Sequence, residues 1–409
     1  MAPLDDIVLD HLDRFLPAPR EGLHVEPVLD VIEAQAIEAD RTRSVDSGVI
    51  EALKGSDVLR MSASRTLGGV ECGIHRIGRE LEAVAARCPS TAWALWNHLC
   101  VFHLFVGALG PDNIDRLRSI VERGEWVSFP AGAGSQVYGR IDDDRAMLNG
   151  SATFATGARY GDHCGVVFAV AGDDGQPVRP IDIRFAIVGN ASEGFKVDPT
   201  WDGSGLRASA TDDVHYEDVQ VDLASCTAWY GANRADSLRT IPVIDHRYRE
   251  DWVGLSDLWL GWMAVGVVRE ALREACLGVV NRRALMGLKM VERPTVQLNL
   301  GKAAALVATA RAAVAEASSE VDRRIDAGII PDASDYFRQQ AVVTMAVDQL
   351  AEAMDLVART LGGNGLREGS EFERRARDFG AMPLHINVHQ DRITHQVGRL
   401  VLGVDLEAF

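Results

Sequence analysis

The stretch Leu361-Gly-Gly-Asn-Gly-Leu-Arg-Glu-Gly-Ser-Glu-Phe-Glu-Arg-Arg-Ala-Arg-Asp-Phe-Gly-Ala-Met-Pro-Leu-His385 is the most informative in the chain. It opens on Gly362-Gly363-Asn364-Gly365, a helix stop at minimum, because glycine enters φ > 0 freely. A run of acids and arginines follows, and then an apolar stretch, Met382-Pro-Leu-His-Ile, in which His385 is the only titratable group. Apolar spacing predicts helices from Ser334 to Thr360 and from Arg374 to Leu402, either side of the glycine turn. His385 and His389 then fall one helical turn apart, a spacing that metals use. The glutamate of an H-E-x-x-H motif is missing, and only Asp391 or His395 offers a third ligand, so no metal is expected.

Working outward, helical spacing also covers Gly254–Met286 and Val296–Asp326, with small residues from Ala303 to Ala317 that allow close helix packing. An irregular connector, Ala224 to Asp251, precedes these helices. Between about Gly124 and Leu223 the texture is β-type: Glu125-Trp-Val-Ser-Phe, Cys164-Gly-Val-Val-Phe-Ala-Val, Ile181-Asp-Ile-Arg-Phe-Ala-Ile-Val and Val214-His-Tyr-Glu-Asp-Val-Gln-Val. Asp173-Asp-Gly and Gly189-Asn supply turns between them. With no helix between the strands, this zone reads as an antiparallel β-domain. The first 123 residues are helical again. They end in an almost uncharged helix from Thr91 to about Leu109, capped by Ser90 and buried on most sides. The expected organisation is a helical domain over 1–123, an antiparallel β-domain over 124–228 and a C-terminal four-helix bundle over 229–409.

The chain has 409 residues, 47% of them hydrophobic and 25% charged, which excludes a disordered chain. Its 42 basic and 59 acidic side chains leave a formal charge of −17, which disfavours nucleic acid and anionic membranes as partners. Six cysteines without a C-x-x-C pair form neither a disulfide framework nor a zinc ribbon. The start, MAPLDDIVLDHLDRF, lacks the features of a signal peptide, and the apolar window Trp252–Val268 is too short for a membrane span. A cytoplasmic protein is expected.

The Gly-Gly-x-Gly turn, acidic stretch and Arg377-Asp378 pair together resemble the C-terminal signature of proteins with the acyl-CoA dehydrogenase fold. Other segments agree in order. Ser128-Phe-Pro-Ala-Gly-Ala-Gly-Ser135 resembles that family's Thr-Glu-Pro-x-Ala-Gly-Ser loop at the flavin edge, with one insertion. Phe154-Ala-Thr-Gly157 resembles its Trp-Ile-Thr-Asn segment. Trp201-Asp-Gly-Ser-Gly-Leu-Arg-Ala-Ser209 resembles Lys-x-Gly-x-Arg-x-Ser, and Arg283-Ala-Leu-Met-Gly287 resembles the Arg-x-x-Phe-Gly that reaches a flavin phosphate. The resemblance implies a flavin held by Phe129, Ser135, Phe154, Ala155, Thr156, Arg283, Gly362 and Gly363. It also implies a homotetramer.

A dehydrogenase of this family removes a proton with a glutamate, in most members eight residues after the Asp of Arg-Asp. Here that position is Ile386, and the family's other location, early in the first C-terminal helix, offers only Asp257. Seven residues after Asp378 stands His385. That spacing resembles the oxygenase components of two-component flavin monooxygenases, such as p-hydroxyphenylacetate and secosteroid hydroxylases. Ser90-Thr-Ala-Trp93 likewise resembles their Ser-x-x-Trp helix, which brings a histidine to the substrate.

This resemblance implies hydroxylation of a phenolic or aromatic, polyketide-type substrate through a flavin C4a-hydroperoxide. The cofactors are reduced flavin (FMNH2 or FADH2) and O2, with a separate reductase as partner. Catalytic roles fall on His385, Thr156 and His98, with His385 titrating near neutrality as a proton donor. Substrate contacts fall on His98, Trp93, His103 and His389, with His98 and His103 competing for one place. An N- or S-oxygenase, a flavin desaturase and a non-catalytic flavin-fold module are the alternatives.

Overall fold

The computed structural model describes residues 4–19, 22–132, 134–172, 175–229 and 239–407. Ala133 of the expected flavin-edge loop, Asp173 and Asp174 of an expected turn, and 230–238 of the connector lie outside them. Six helices come first: α1 (Leu4–Phe15), α2 (Glu26–Thr42), α3 (Ser47–Lys54), α4 (Ile74–Arg87), α5 (Pro89–Leu109) and α6 (Ile114–Glu122). Eight strands follow: β1 (Val127–Ser128), β2 (Gln136–Asp142), β3 (Arg145–Thr156), β4 (His163–Ala171), β5 (Ile183–Gly189), β6 (Phe195–Asp198), β7 (Thr211–Asp222) and β8 (Thr227–Ala228). Helices close the chain: α7 (Trp252–Val280), α8 (Pro294–Asp326), α9 (Ala333–Leu361), α10 (Glu371–Ala381) and α11 (Gln390–Val401).

The sheet is mixed rather than purely antiparallel. Its order is β6-β7-β3-β2-β4-β5-β8, and β4 runs parallel to both β2 and β1. The need for a crossover helix applies to strands that follow one another in parallel. Here β4 is antiparallel to its predecessor β3 and skips over β2 through the short turn 157–162, so no helix is required. The single helix expected over Arg374–Leu402 is two helices. Pro383 follows the end of α10, and two single 3-10 turns, Met382–Leu384 and Ile386–Val388, fill the gap before α11. Ser90 does not cap α5, whose first residue is Pro89. Its Oγ instead accepts from the Ala208 amide at 3.2 Å.

Helix α5 has no charged residue, and among the described residues it alone combines the length and hydropathy of a membrane span. Its apolar window is 94% buried inside the protein. Close helix approach encloses it. Cβ atoms added at Gly78 on α4 and Gly266 on α7 would fall 2.1 Å from the Trp262 ring and 2.3 Å from the Glu82 carbonyl. The β-domain is fastened to both helical parts by the loop 201–210. Asp378 Oδ1 accepts from Leu206 N at 2.6 Å, and Arg377 Nη1 donates to Ser204 O at 2.8 Å. Tyr160 links the same loop to the N-terminal helices: its hydroxyl donates to Ala208 O at 2.8 Å and accepts from Val45 N at 2.9 Å.

Replacing Gly266 by alanine therefore forces α4 and α7 apart and costs about 1–3 kcal/mol. Gly398→Ala, on α11 with nothing within 4 Å of the added Cβ, should be neutral or stabilising. Urea unfolding of the two variants beside the wild type measures the contrast.

Candidate active site

Three elements meet at His385. Its backbone is extended (φ −68°, ψ 135°) between the two 3-10 turns, so the side chain leaves the bundle surface toward α5. Trp93 and Trp96, three apart on α5, lie about 60° from each other around the helix and share a face. Their rings are 4.6 Å apart, and both meet the imidazole edge-on, at 5.5 Å and 5.2 Å. Trp96 Nε1 donates to Ser256 O on α7 at 2.9 Å, which anchors that ring. One turn before Ser256, the Trp252 ring stands edge-on to Phe129, which in turn stacks on Trp229. The walls between α5, α7 and the β-domain are thus aromatic.

His385 is partly exposed as a residue, yet its ring is enclosed. Burial, and secondarily the charge of Arg392, lowers its pKa to about 4. The imidazole is therefore neutral at pH 7, which corrects the expectation of titration near neutrality. Its Nδ1 accepts from the Asn387 amide at 3.3 Å. A neutral ring with Nδ1 accepting carries its proton on Nε2. No hydrogen bond among the described residues occupies that nitrogen, so its N–H is left for a ligand.

The other histidines do not join it. His98 follows Trp96 by two residues, about 200° round the helix, and so faces away. Its Nδ1 accepts from Val127 N at 3.0 Å, and Nε2 therefore donates to Leu59 O, at 2.9 Å. Both nitrogens are consumed in tying α5 to β1 and to the turn at Leu59, so His98 has no group left for a phenolic proton. His103 is also tied: Nε2 donates to Glu250 O at 2.9 Å, and the ring packs on Tyr248. Burial lowers the pKa of His98 to about 4 and that of His103 to about 3. His389 caps α11 in extended conformation rather than repeating one turn of a helix after His385. Among the described residues, no three His, Cys, Asp or Glu side chains gather as a metal site would require.

The β-domain supplies a ledge of main chain. Gly132 N donates to Thr153 O at 3.1 Å and Thr153 N to Ser135 Oγ at 3.2 Å, so the loop lies flat on β3. A Cβ at Gly132 would sit 1.9 Å from Thr153 Oγ1, so this approach needs glycine. The pairing of β3 with β7 slips between Ala152 and Ala155. Within that bulge Phe154 takes φ +62°, a costly conformation for an aromatic residue, and stands 54% exposed beside Trp201. Ala155 is fully buried. The buried Thr156 hydroxyl begins a chain, 3.0 Å to Thr211 Oγ1 and 2.8 Å on to Ser209 Oγ. A flat ledge with an exposed aromatic ring and a hydroxyl at its end fits the face and polar edge of an isoalloxazine.

Arg283, Gly362 and Gly363 are exposed and have no described contact with that ledge. Arg283 donates to Gly287 O at 2.8 Å. Its neighbour Arg282 is the one that reaches the glycine turn, through Leu361 O at 3.0 Å and, with the amide oxygen facing it, Asn364. Asp257, the only acid early in α7, is fully buried and accepts from Gln340 within the bundle. Ile386 points outward, 58% exposed. Neither dehydrogenase position therefore places a carboxylate beside His385. Sequence reading missed Trp96, Ser256 and Asn387. The spacing of the two tryptophans was the only available signal, because Ser256 and Asn387 meet across 131 residues.

Residues 258–390 match the family model "Acyl-CoA dehydrogenase, C-terminal domain". A pigment production hydroxylase of Rhodococcus erythropolis is 22% identical over 393 residues, 93% of this chain and 96% of that protein. The oxygenase component of an FADH(2)-dependent resorcinol hydroxylase from a Rhizobium species is 23% identical over 93% of each chain. Among solved structures, XiaF from a Streptomyces species, in complex with FADH2 and glycerol, superposes with a TM-score of 0.83. It covers 99% of this chain and 98% of its own at 18% identity.

His98 makes a pH dependence of folding stability testable. Its unfolded imidazole gains a proton near pH 6.5, and the folded one only near 4. Between those values the unfolded state binds more protons, so the stability it contributes is complete above pH 6.5 and falls as the pH drops toward 4. His98→Asn should cost roughly 2–4 kcal/mol at pH 7.5. That gap should narrow by on the order of 2 kcal/mol at pH 4.5, as urea unfolding at the two pH values would show. The likeness to XiaF along the chain and the match of residues 258–390 to the acyl-CoA dehydrogenase C-terminal domain together show an acyl-CoA dehydrogenase-like fold.

Proposed function

We propose that this protein is the oxygenase component of a two-component flavin-dependent monooxygenase that hydroxylates an aromatic substrate. The observation that carries the reading is the neutral His385, set against Trp93 and Trp96 with its Nε2–H uncommitted, while neither dehydrogenase position offers a carboxylate beside it. Reduced flavin, when bound, supplies the electrons for activating O2. The ledge of Phe129, Ser135, Phe154, Ala155 and Thr156 would hold its ring, and Arg283 with Gly362 and Gly363 would serve the phosphate end of a flavin held by a neighbouring subunit.

The residues of the chain would then do three things. His385 Nε2–H donates to an oxygen atom that gains negative charge in the reaction, the kind of preorganised donor that acts most strongly in a dry site. Thr156 donates to the same region when Thr211 donates to Thr156 in turn. The aromatic walls exclude water and receive a flat substrate, with Trp93 among the rings that would contact it. A phenol or aromatic polyketide fits these walls, and the relatives named for pigment production and resorcinol hydroxylation support that class. A separate reductase would supply the flavin in the cytoplasm. The exposed Met286, Leu298, Leu366, Val401 and Leu402 on the helical part would be covered in a homotetramer.

The reading is tested by supplying reduced flavin, O2 and a panel of phenols, and measuring product against H2O2. His385→Ala should fold and bind flavin, and its product yield per flavin oxidised should fall roughly 10²-fold, with H2O2 rising to match. Unchanged coupling would remove the main support for the reading. A tightly bound oxidised flavin bleached anaerobically by an acyl-CoA would replace it with dehydrogenation. For the assembly, native mass spectrometry should find the tetramer, and a monomer at micromolar concentration would overturn it.

A further inference from the structure

His385 is one member of a closed circuit. Asn387, buried two residues later, gives its main-chain N–H to His385 Nδ1. Its side-chain Nδ2 donates to Ser256 Oγ at 2.6 Å. Ser256, 1% exposed on α7, accepts from Trp96 Nε1 through its own carbonyl. The Trp96 ring returns to the imidazole edge-on at 5.2 Å and 84°. The two hydrogen bonds to Ser256 are buried and the one to His385 is partly so, and the circuit joins α5, α7 and the 3-10 turn that follows the histidine.

We infer that Ser256 and Asn387 are positioning residues that fix the direction and tautomer of His385 and so decide which nitrogen offers a proton to the cleft. This rests on the role proposed above for His385. Either nitrogen of a neutral imidazole can carry the proton, and a free side chain rotates about χ1 and χ2. The 386–388 turn is too short to hold its own geometry, and its backbone reaches Nδ1 only at 3.3 Å. Arg392 Nη1 holds the turn on its exposed side, through Ile386 O at 2.8 Å, and the buried anchor to α7 is the Asn387 amide on Ser256. Without Ser256 Oγ the turn loses its buried tie to α7, and the long bond from Asn387 N to Nδ1 loses its support. Nε2–H is then no longer the fixed outward group.

The test uses the full chain with 15N-labelled histidine, assigning His385 by its absence in His385→Ala. In the wild type at pH 7.5, Nδ1 should show the shift of a bare nitrogen and Nε2 that of a protonated one. In Ser256→Ala and in Asn387→Ala the two shifts should move toward each other, as the tautomers mix. The ratio of H2O2 to product should rise roughly tenfold in both variants with flavin affinity unchanged. Ser256→Thr, which keeps the hydroxyl, should restore both signals.

Wild-type nitrogen shifts in Ser256→Ala and Asn387→Ala would overturn the inference. So would failure of Ser256→Thr to rescue while it folds as stably as the wild type. If His385→Ala itself stays coupled, the catalytic reading fails, but the nitrogen shifts still decide the positioning, so the two failures are told apart.

Discussion

An uncharged 21-residue helix cannot meet water along any of its faces, and α5 imposes that constraint on the whole molecule. The protein answers by laying something against every side of it. Helices α4 and α7 cover it from the bundle, β1 and the Tyr248 region from the other direction, and the 201–210 loop closes its N-terminal end through Ser90. Polar groups inside such a helix must find fixed partners. His98 and His103 do so with main-chain carbonyls, and each fastens α5 to a different neighbour. Trp93 and Trp96 fill the remaining side, and that side is where the site forms.

Burial settles the protonation state of the site as well as its shape. Three histidines in the same apolar interior are all held neutral, each mainly by desolvation. What separates them is the count of partners. His98 has both nitrogens engaged. His103 has a single tie, to Glu250, and its Nδ1 is buried with no room for a ligand to reach it. His385 has one nitrogen held, and its other is neither hydrogen-bonded nor among the fully buried unpartnered atoms of the described residues. A neutral donor cannot deliver a full proton as cheaply as an imidazolium, but it can stabilise charge without reorganising, which suits a closed apolar site.

The α–β–α order and most helix limits were legible because amphipathic and apolar periods are local signals. Helix α9 was expected over Ser334–Thr360 and spans Ala333–Leu361. The mixed sheet was not legible, because strand order depends on which strands pair and not on their composition. The break between α10 and α11 was signalled by Pro383 but masked by the apolar residues on either side, which continue a helical period. The histidine assignments divide in the same way. Helix spacing alone puts His98 about 200° from Trp96, so its departure from the site was available from the sequence and outweighed by family likeness. The saturation of its two nitrogens depends on Leu59 and Val127, and no local pattern points to either.

The charged residues Arg375, Arg377 and Asp378 of the C-terminal stretch hold the fold. Arg375 is spent on Glu274 and on Ala86 O, Arg377 on Asp40, Glu373 and Ser204 O, and Asp378 on Leu206 N. Their demand is geometric: they must bring α10 to the 201–210 loop. In the proposed function, chemistry falls to the residues that follow, where the frame counts to a single position. His385 turns in between two tryptophans, while Ile386, the next residue, turns out and is more than half exposed. A carboxylate placed at 386 would therefore face away from α5 and could not take over a base's work. Converting one chemistry to the other requires the 382–388 turn to be rebuilt, and a change of one side chain is not enough.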